Sequence, residues 1–200
     1  MMIDTNTKEK SFFYIRALLV FFFLMTCVSG CTLSNGIKHY IRPGLDINNI
    51  NKVAVLPFEN FTADRFAADK IKSLVVIDLL SRGIDVVEPG EVMVLLREMK
   101  VRSLESITSE NIEQIGKILK VQAVMTGSVG VFKVSRGVEV SYPEVSISLI
   151  MYEAENSDII WSTWHTTGGA DFWTRHFGAE GNTLDETAKI LISDVLDTIY

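Results

Sequence analysis

A cysteine at the end of an apolar run carries the clearest chemistry in this 200-residue sequence. Cys31 follows Ser29 and Gly30, and the run before them, 17–28, contains no charged residue. A thiol is the strongest nucleophile among the side chains for taking up an acyl-bearing group. The two small residues leave a protease room to grip the backbone. The residue types therefore suit covalent modification of Cys31 next to a cleavage site.

The first 30 residues have the layout of a leader. Three basic residues precede the apolar run, which gives the basic, apolar and small-residue order of a secretory signal peptide. The run is shorter than the roughly 20 residues that a membrane-spanning helix needs. The ending 28–31, Val-Ser-Gly-Cys, resembles the bacterial lipobox. That resemblance implies cleavage between Gly30 and Cys31, with a diacylglycerol and an N-acyl chain on Cys31. An uncleaved signal anchor is the alternative.

Multiple acylation would hold the mature protein on a membrane without a span of its own, because two or more chains anchor stably where one does not. We therefore divide the chain into a signal peptide (1–30), an acylated N-terminus with a tether (31–51) and a single globular periplasmic domain (52–200). The residue after Cys31 is Thr32 and not an aspartate. In this respect the sequence resembles lipoproteins that are sorted to the outer membrane of Gram-negative bacteria. The predicted location is the periplasmic face of the outer membrane.

Charge and cysteine content limit the functions open to the mature chain. Removing the three basic and two acidic leader residues from the 19 and 25 of the whole chain leaves a net charge of −7. This balance argues against a nucleic-acid partner, which would require a basic patch. Cys27 lies in the leader and Cys31 would be acylated, so no pair remains for a disulfide.

Periodicity predicts an α/β (α+β) domain with a mixed sheet of about five strands. The predicted strands are 52–57, 84–87, 121–134, 142–152 and 159–167, and the predicted helices are 63–82, 91–99, 109–119 and the segment following Thr183. The last three strands would form an antiparallel meander in the C-terminal half. A capping box at Thr183 and Glu186 would open a closing C-terminal helix.

Three motifs carry a resemblance to a known family. They are Lys-Val-Ala-Val-Leu-Pro-Phe-Glu-Asn at 52–60, Gln-Ala-Val-Met-Thr-Gly-Ser-Val at 122–129, and the strand pair 152–162 that ends Asp-Ile-Ile-Trp-Ser. In order and spacing they resemble the curli-secretion-channel (CsgG-like) lipoproteins, the amino-terminal domain of TolB and the lipoprotein activators of penicillin-binding proteins. The resemblance implies a non-catalytic envelope protein that works by assembly. In the curli-channel branch, hairpins from a ring of subunits form a membrane barrel, but the only hairpin available here already belongs to the predicted sheet.

Other polar groups offer weaker chemistry. His165, Asp171 and His176 could be drawn as a metal site, but the spacing lacks the density of a zinc site, and ordinary histidines explain it better. Ser128 lies in mid-strand without the glycine frame of a nucleophile elbow. We expect no enzyme, no metal and no cofactor beyond the acyl groups on Cys31.

Aromatic residues concentrate between the meander and the last helix. Trp164, Phe172, Trp173 and Phe177 lie in a glycine-bearing region, which is a usual composition for a protein contact site. The alternative is that these side chains close the open end of the sheet. Strand alternation places Trp161 inward and Trp164 on the opposite face.

These observations predict a lipid-anchored binding or assembly module for an envelope or secretion machine. Its expected partners are the membrane, through the anchor, and other envelope proteins, with a homo-oligomer left open. The first alternative is a ring-forming subunit of an outer-membrane secretion channel. The second, a hydrolase or metal enzyme, would need a pocket of clustered polar groups.

Overall fold

The computed structural model describes Arg16 and residues 37–199, except 102, 104, 105, 137–140 and 169–181. These residues form seven strands and four helices. The strands are β1 (His39–Ile41), β2 (Lys52–Val55), β3 (Glu59–Asn60), β4 (Asp85–Val86), β5 (Ala123–Arg136), β6 (Ser141–Glu153) and β7 (Ile159–Gly168). The helices are α1 (Ala67–Ser81), α2 (Pro89–Glu98), α3 (Ser109–Leu119) and α4 (Leu184–Leu196), and a 3-10 turn forms at Ile47–Asn49.

One mixed sheet organises the domain. Its strand order is β1-β7-β6-β5-β2-β4, and β3 pairs with β5. β2 lies parallel to both β4 and β5, and β5, β6 and β7 form the predicted antiparallel meander. The α/β fold class is confirmed, as are the meander and the closing helix. The sheet has seven strands instead of about five because β1 and β3 are too short to show a period.

Helices cover the two faces of the sheet unequally. On the first face α1 and α4 contact each other and the meander, over a core that includes Val53, Val55 and Trp161. On the second face α2 and α3 pack over β2 and the start of β5, where Ala54 and Val124 are buried. This alternation along β2 explains its nearly continuous apolar sequence. None of the helices in the described part of the chain has the length and apolarity to cross a membrane.

The described fold reaches further toward the N-terminus than the predicted domain start at residue 52. The compact unit begins at Ile37, and β1 pairs antiparallel with β7. Ile50 is buried, and Leu45 packs against the same core. The stretch lacks a period because its partner strand lies more than 100 residues further along the chain. The signal peptide, Gly30 and Cys31 lie outside the described residues, so cleavage and acylation stay predictions.

Local hydrogen bonds move the start of α1 from the predicted residue 63 to Ala67. Asp64 Oδ1 accepts the Phe66 N–H at 2.9 Å, and Asn60 Nδ2 donates to the Asp64 carbonyl at 2.8 Å. These bonds hold a turn before the helix, as Asp and Asn commonly do. The Phe66 N–H bond to the carboxylate also holds the pKa of Asp64 below its ordinary value, with a further contribution from Lys70. The helix ends before Gly83, whose φ of 81° is the left-handed stop that was predicted.

The capping box at the start of α4 is confirmed. Thr183 Oγ1 accepts the Glu186 N–H at 3.2 Å, and Glu186 Oε2 accepts the Thr183 N–H at 2.8 Å. Because the ionised carboxylate accepts the Thr183 N–H and hydroxyl hydrogen bonds, the pKa of Glu186 is lowered from its ordinary value of 4.5.

We expect the Glu186→Gln variant to be less stable than the parent at neutral pH and to approach it in acid. A depressed folded-state pKa contributes stability above the unfolded value of 4.5 and loses it as the pH falls through the lower folded value. Urea unfolding between pH 7 and pH 3 measures the difference. A gap that stays constant across this range would mean that the carboxylate charge at Glu186 does not contribute.

Candidate partner surface

Trp164 is the predicted contact residue that the structure describes. It lies in the middle of β7 opposite Ser148 of β6, and its side chain is 62% exposed. The other three predicted contact residues, Phe172, Trp173 and Phe177, lie outside the described residues. Whether the four aromatic side chains meet at one surface therefore stays a prediction.

The two tryptophans of β7 point to opposite faces of the sheet. Trp161 is completely buried in the core beside α4, and its Nε1 donates a hydrogen bond to Thr198 Oγ1 at 3.1 Å. Trp164, three residues later, faces solvent because successive strand residues alternate between faces. The prediction of Trp161 inward and Trp164 on the opposite face is confirmed.

Strand register surrounds Trp164 with small and apolar side chains. Tyr40 of β1 pairs with Ser162, which pairs with Ile150, and Ile150 pairs with Thr126 of β5. Directly paired residues share a face of the sheet. We call this group the open face, and its members are Tyr40, Thr126, Ser148, Ile150, Ser162 and Trp164.

The open face has the chemistry of a protein contact. It contains two exposed aromatic side chains, Tyr40 and Trp164, and its other members are partly exposed hydroxyl or aliphatic residues. None of its six side chains carries a charge at neutral pH. Aromatic residues with few charges are what interface cores contain. Sequence reasoning missed Tyr40 because it lay in the supposed tether, although Tyr-Ile between two basic residues was a weak strand signal.

A small cavity adjoins the open face. It has a volume of about 210 Å³ and lies between α3 and the sheet, with Thr126, Leu56, Ile112 and Tyr152 in its lining. Burial raises the pKa of Tyr152, so its phenol stays neutral and remains a hydrogen-bond donor. A pocket lined by hydroxyl-bearing and aliphatic side chains beside exposed aromatics can take one anchoring side chain of a partner.

A larger cleft near the turn between β6 and β7 is less informative. It has a volume of about 460 Å³, and its lining includes Gln122 and Glu153. Gln122 Oε1 accepts the Lys52 N–H at 2.8 Å, and Glu153 Oε2 forms an ion pair with Arg42 at 3.1 Å. Gln122 holds the start of β2, and Glu153 holds the segment that follows β1, so the geometry of both groups has a structural explanation.

The weaker candidates have no catalytic geometry in the part of the chain described. Ser128 lies within β5 opposite Ser148, as expected of a structural strand residue. No group of three or more His, Cys, Asp or Glu side chains among the described residues is arranged to hold a metal ion. His165 is half-buried on β7, and Asp171 and His176 lie outside the described residues. The expectation that the protein is not an enzyme stays an expectation.

Solved structures give the comparison for this fold. No family model matches the sequence, and no curated protein matches it. The PelC dodecamer from Paraburkholderia phytofirmans superposes with a TM-score of 0.56 at 21% identity, covering 81% of this chain and 96% of that one. A point variant of that dodecamer gives a TM-score of 0.57 at 22% identity over 82% and 98% of the two chains.

A bacterial lipoprotein has a similar fold to this chain. Lipoprotein GNA1162 from Neisseria meningitidis superposes with a TM-score of 0.54 at 17% identity, covering 74% of this chain and 96% of that one. At these identities the likeness establishes the fold, and it does not single out the curli-channel branch named from the motifs. The chain is thus similar in fold to structures that include a bacterial lipoprotein and a dodecamer-forming protein.

Proposed function

We propose that this protein is an envelope lipoprotein, anchored through Cys31 to the periplasmic face of the outer membrane, that acts as a non-catalytic binding and assembly module. The leader pattern and the ending at Cys31 support the anchor. The fold shared with a Neisseria lipoprotein supports the envelope setting. The anchor is the covalent diacylglycerol and N-acyl chain, and no other cofactor takes part.

The observation that carries the assembly role is the open face. A tryptophan with 62% of its side chain exposed sits in an uncharged patch next to a cavity. Exposed aromatic side chains grouped on an uncharged surface mark interaction sites more often than scattered single residues do. Confinement to the membrane raises the effective concentration of the face for a partner on the same surface, so a modest interface suffices.

The second candidate is a ring-forming subunit of an outer-membrane secretion channel. The dodecameric state of PelC favours self-association of this chain, because the two share a fold. The pairing of the β5 and β6 strands argues against a barrel contribution. β5 pairs with β6 along its length, and β6 pairs with β7 as far as Glu144 and Gly168. The hairpin is thus largely committed to the domain's own sheet, which supports the accessory role without a pore.

Photocrosslinking in intact cells tests the assembly role. Trp164 is replaced by p-benzoylphenylalanine, and Ile77, which lies on α1 and is 63% exposed, receives the same probe as a matched control. We expect position 164 to capture one defined partner and position 77 to capture none. The Cys31→Ser form should lose most of the capture, because the confined concentration is lost.

The identity of the captured protein separates the candidates. Adducts between two copies of this chain favour the ring, and adducts with a different envelope protein favour the accessory role. Equal capture at positions 164 and 77, or capture that does not depend on Cys31, would contradict the proposal.

A further inference from the structure

The direction of β1 tells where the chain from Cys31 reaches the domain. β1 pairs antiparallel with β7, with His39 opposite Thr163 and Ile41 opposite Trp161. The chain preceding His39 therefore comes from the end of the sheet where β7 finishes at Gly168. The β5–β6 hairpin turns at that same end, because Gly168 pairs with Glu144 near the start of β6.

The short connection limits the distance between anchor and domain. Six residue steps separate Cys31 from Ile37, and a fully extended chain spans at most about 20 Å over that length. The five steps from Thr163 to Gly168 cover about 17 Å of strand. An acylated Cys31 can therefore lie no further than about 20 Å from Ile37, and β1 enters the sheet from the side of the hairpin.

Exposed apolar and basic side chains lie on the segments that lead toward this end. Phe61 follows β3 and donates its N–H to the Val129 carbonyl, Phe66 precedes α1, and Val134 lies near the end of β5. All three are exposed apolar side chains. Arg65, Lys133 and Arg136 lie beside them and are exposed as well. We call these six residues the hairpin end.

Charge at the hairpin end differs from charge elsewhere in the domain. The nearby carboxylates are held by lysines, Asp64 by Lys70 at 3.2 Å and Glu144 by Lys133 at 3.7 Å. Arg65 lies over the Phe66 ring, with its guanidinium carbon 4.4 Å from the ring centroid. Its charge is thus carried on an aromatic surface.

Two arginines away from the hairpin end are each bound by two carboxylates. Arg42 pairs with Glu153 and Asp158, and Arg82 pairs with Asp78 and Asp197. At the hairpin end, by contrast, Arg65 and Arg136 form no ion pair with any residue that the structure describes, although the mature chain as a whole is acidic. Both arginines lie close in sequence to the exposed side chains of Phe66 and Val134. Apolar side chains at the acyl boundary with cations at the phosphates are the composition of a membrane-interface surface.

We propose that the hairpin end rests on the bilayer, with Phe66 and Val134 at the headgroup boundary and Arg65 and Arg136 against lipid phosphates. The inference rests on the proposed function, because it needs acylated Cys31 to bring the surface to the membrane. The net charge of −7 would not bind anionic lipid by itself. The anchor supplies the affinity, and the hairpin end sets the orientation of the domain.

A single nitroxide label reports the orientation. The mature chain has no thiol other than the acylated one, so a cysteine introduced at Val134 is the only reactive group. Val134→Cys and its control Leu80→Cys, on the last turn of α1, replace side chains that are 58% and 51% exposed. Phe66→Cys gives a second site on the proposed surface. Each full-length acylated variant is reconstituted in phosphatidylethanolamine and phosphatidylglycerol vesicles.

Collision rates with oxygen and with a water-soluble nickel complex are then compared by spin-label relaxation. We expect the oxygen-to-nickel ratio to be several-fold higher at positions 66 and 134 than at position 80. Ratios equal to that at position 80 in protein that sediments with the vesicles would overturn the orientation alone. A label shielded from both reagents indicates a second copy of the chain and also overturns it. Protein that stays in the supernatant would overturn the anchor as well.

Discussion

The Trp161→Ala variant is expected to lose about 3–5 kcal/mol of unfolding free energy, the usual range for removing a buried aromatic side chain. Trp161 is completely buried between the meander and α4. Its removal leaves a cavity that the surrounding strands cannot close, and Thr198 loses the indole donor at 3.1 Å. Urea unfolding followed by far-ultraviolet circular dichroism measures the loss.

Trp164→Ala is the matched control on the same strand. We expect its stability to stay within about 0.5 kcal/mol of the parent, because surface substitutions usually have small effects. Co-purification of the partner identified by crosslinking should behave in the opposite way and fall only in the Trp164→Ala variant. Equal losses of stability in the two variants would mean that Trp164 packs against part of the chain, and the open face would then not be a free surface.

Local chemistry explains which elements the sequence could predict. α3 was predicted at 109–119 and occupies those residues, because Thr108 caps it and accepts the Asn111 N–H at 3.3 Å. The last three strands were predicted within two residues at each end, since their β-branched residues alternate and turn residues separate them. In these elements the residues that set the boundaries are neighbours in sequence.

Pairing between distant segments explains what the sequence left out. β1 has three residues, all exposed, and its place in the sheet depends on β7. Thr163 donates its hydroxyl hydrogen to the Lys38 carbonyl at 2.9 Å, and this contact has no trace in the sequence around Lys38. Tyr40 was not predicted as a contact residue for the same reason, because its position depends on the pairing of β1 with β7. Of the open face, only Trp164 could be predicted, because the alternation along β7 by itself places that side chain on the exposed side.

Gly127 is a second case in which the sequence shows a residue but the structure is needed to explain it. The residue belongs to the strand motif at 122–129 and lies in β5 opposite Leu149. A Cβ at position 127 would meet Leu149 Cδ2 at 2.6 Å and the Ser148 carbonyl oxygen at 2.8 Å. Leu149 can change rotamer, but the Ser148 backbone belongs to the paired strand and cannot withdraw without breaking the ladder.

We therefore expect Gly127→Ala to destabilise the protein by about 1–3 kcal/mol, the usual range for overpacking a core. Gly130→Ala, three residues along the same strand, is the control. Its Cβ would have Ser146 Oγ at 3.8 Å as its nearest neighbour, an ordinary contact. There the substitution restricts the unfolded chain and should stabilise by about 0.4–1 kcal/mol. If the urea midpoints of the two variants move in opposite directions, the close Ser148 backbone is the reason that position 127 requires glycine. If both midpoints fall, the need for glycine at the two positions comes instead from the irregular pairing of β5 and β6 between Val129 and Val131.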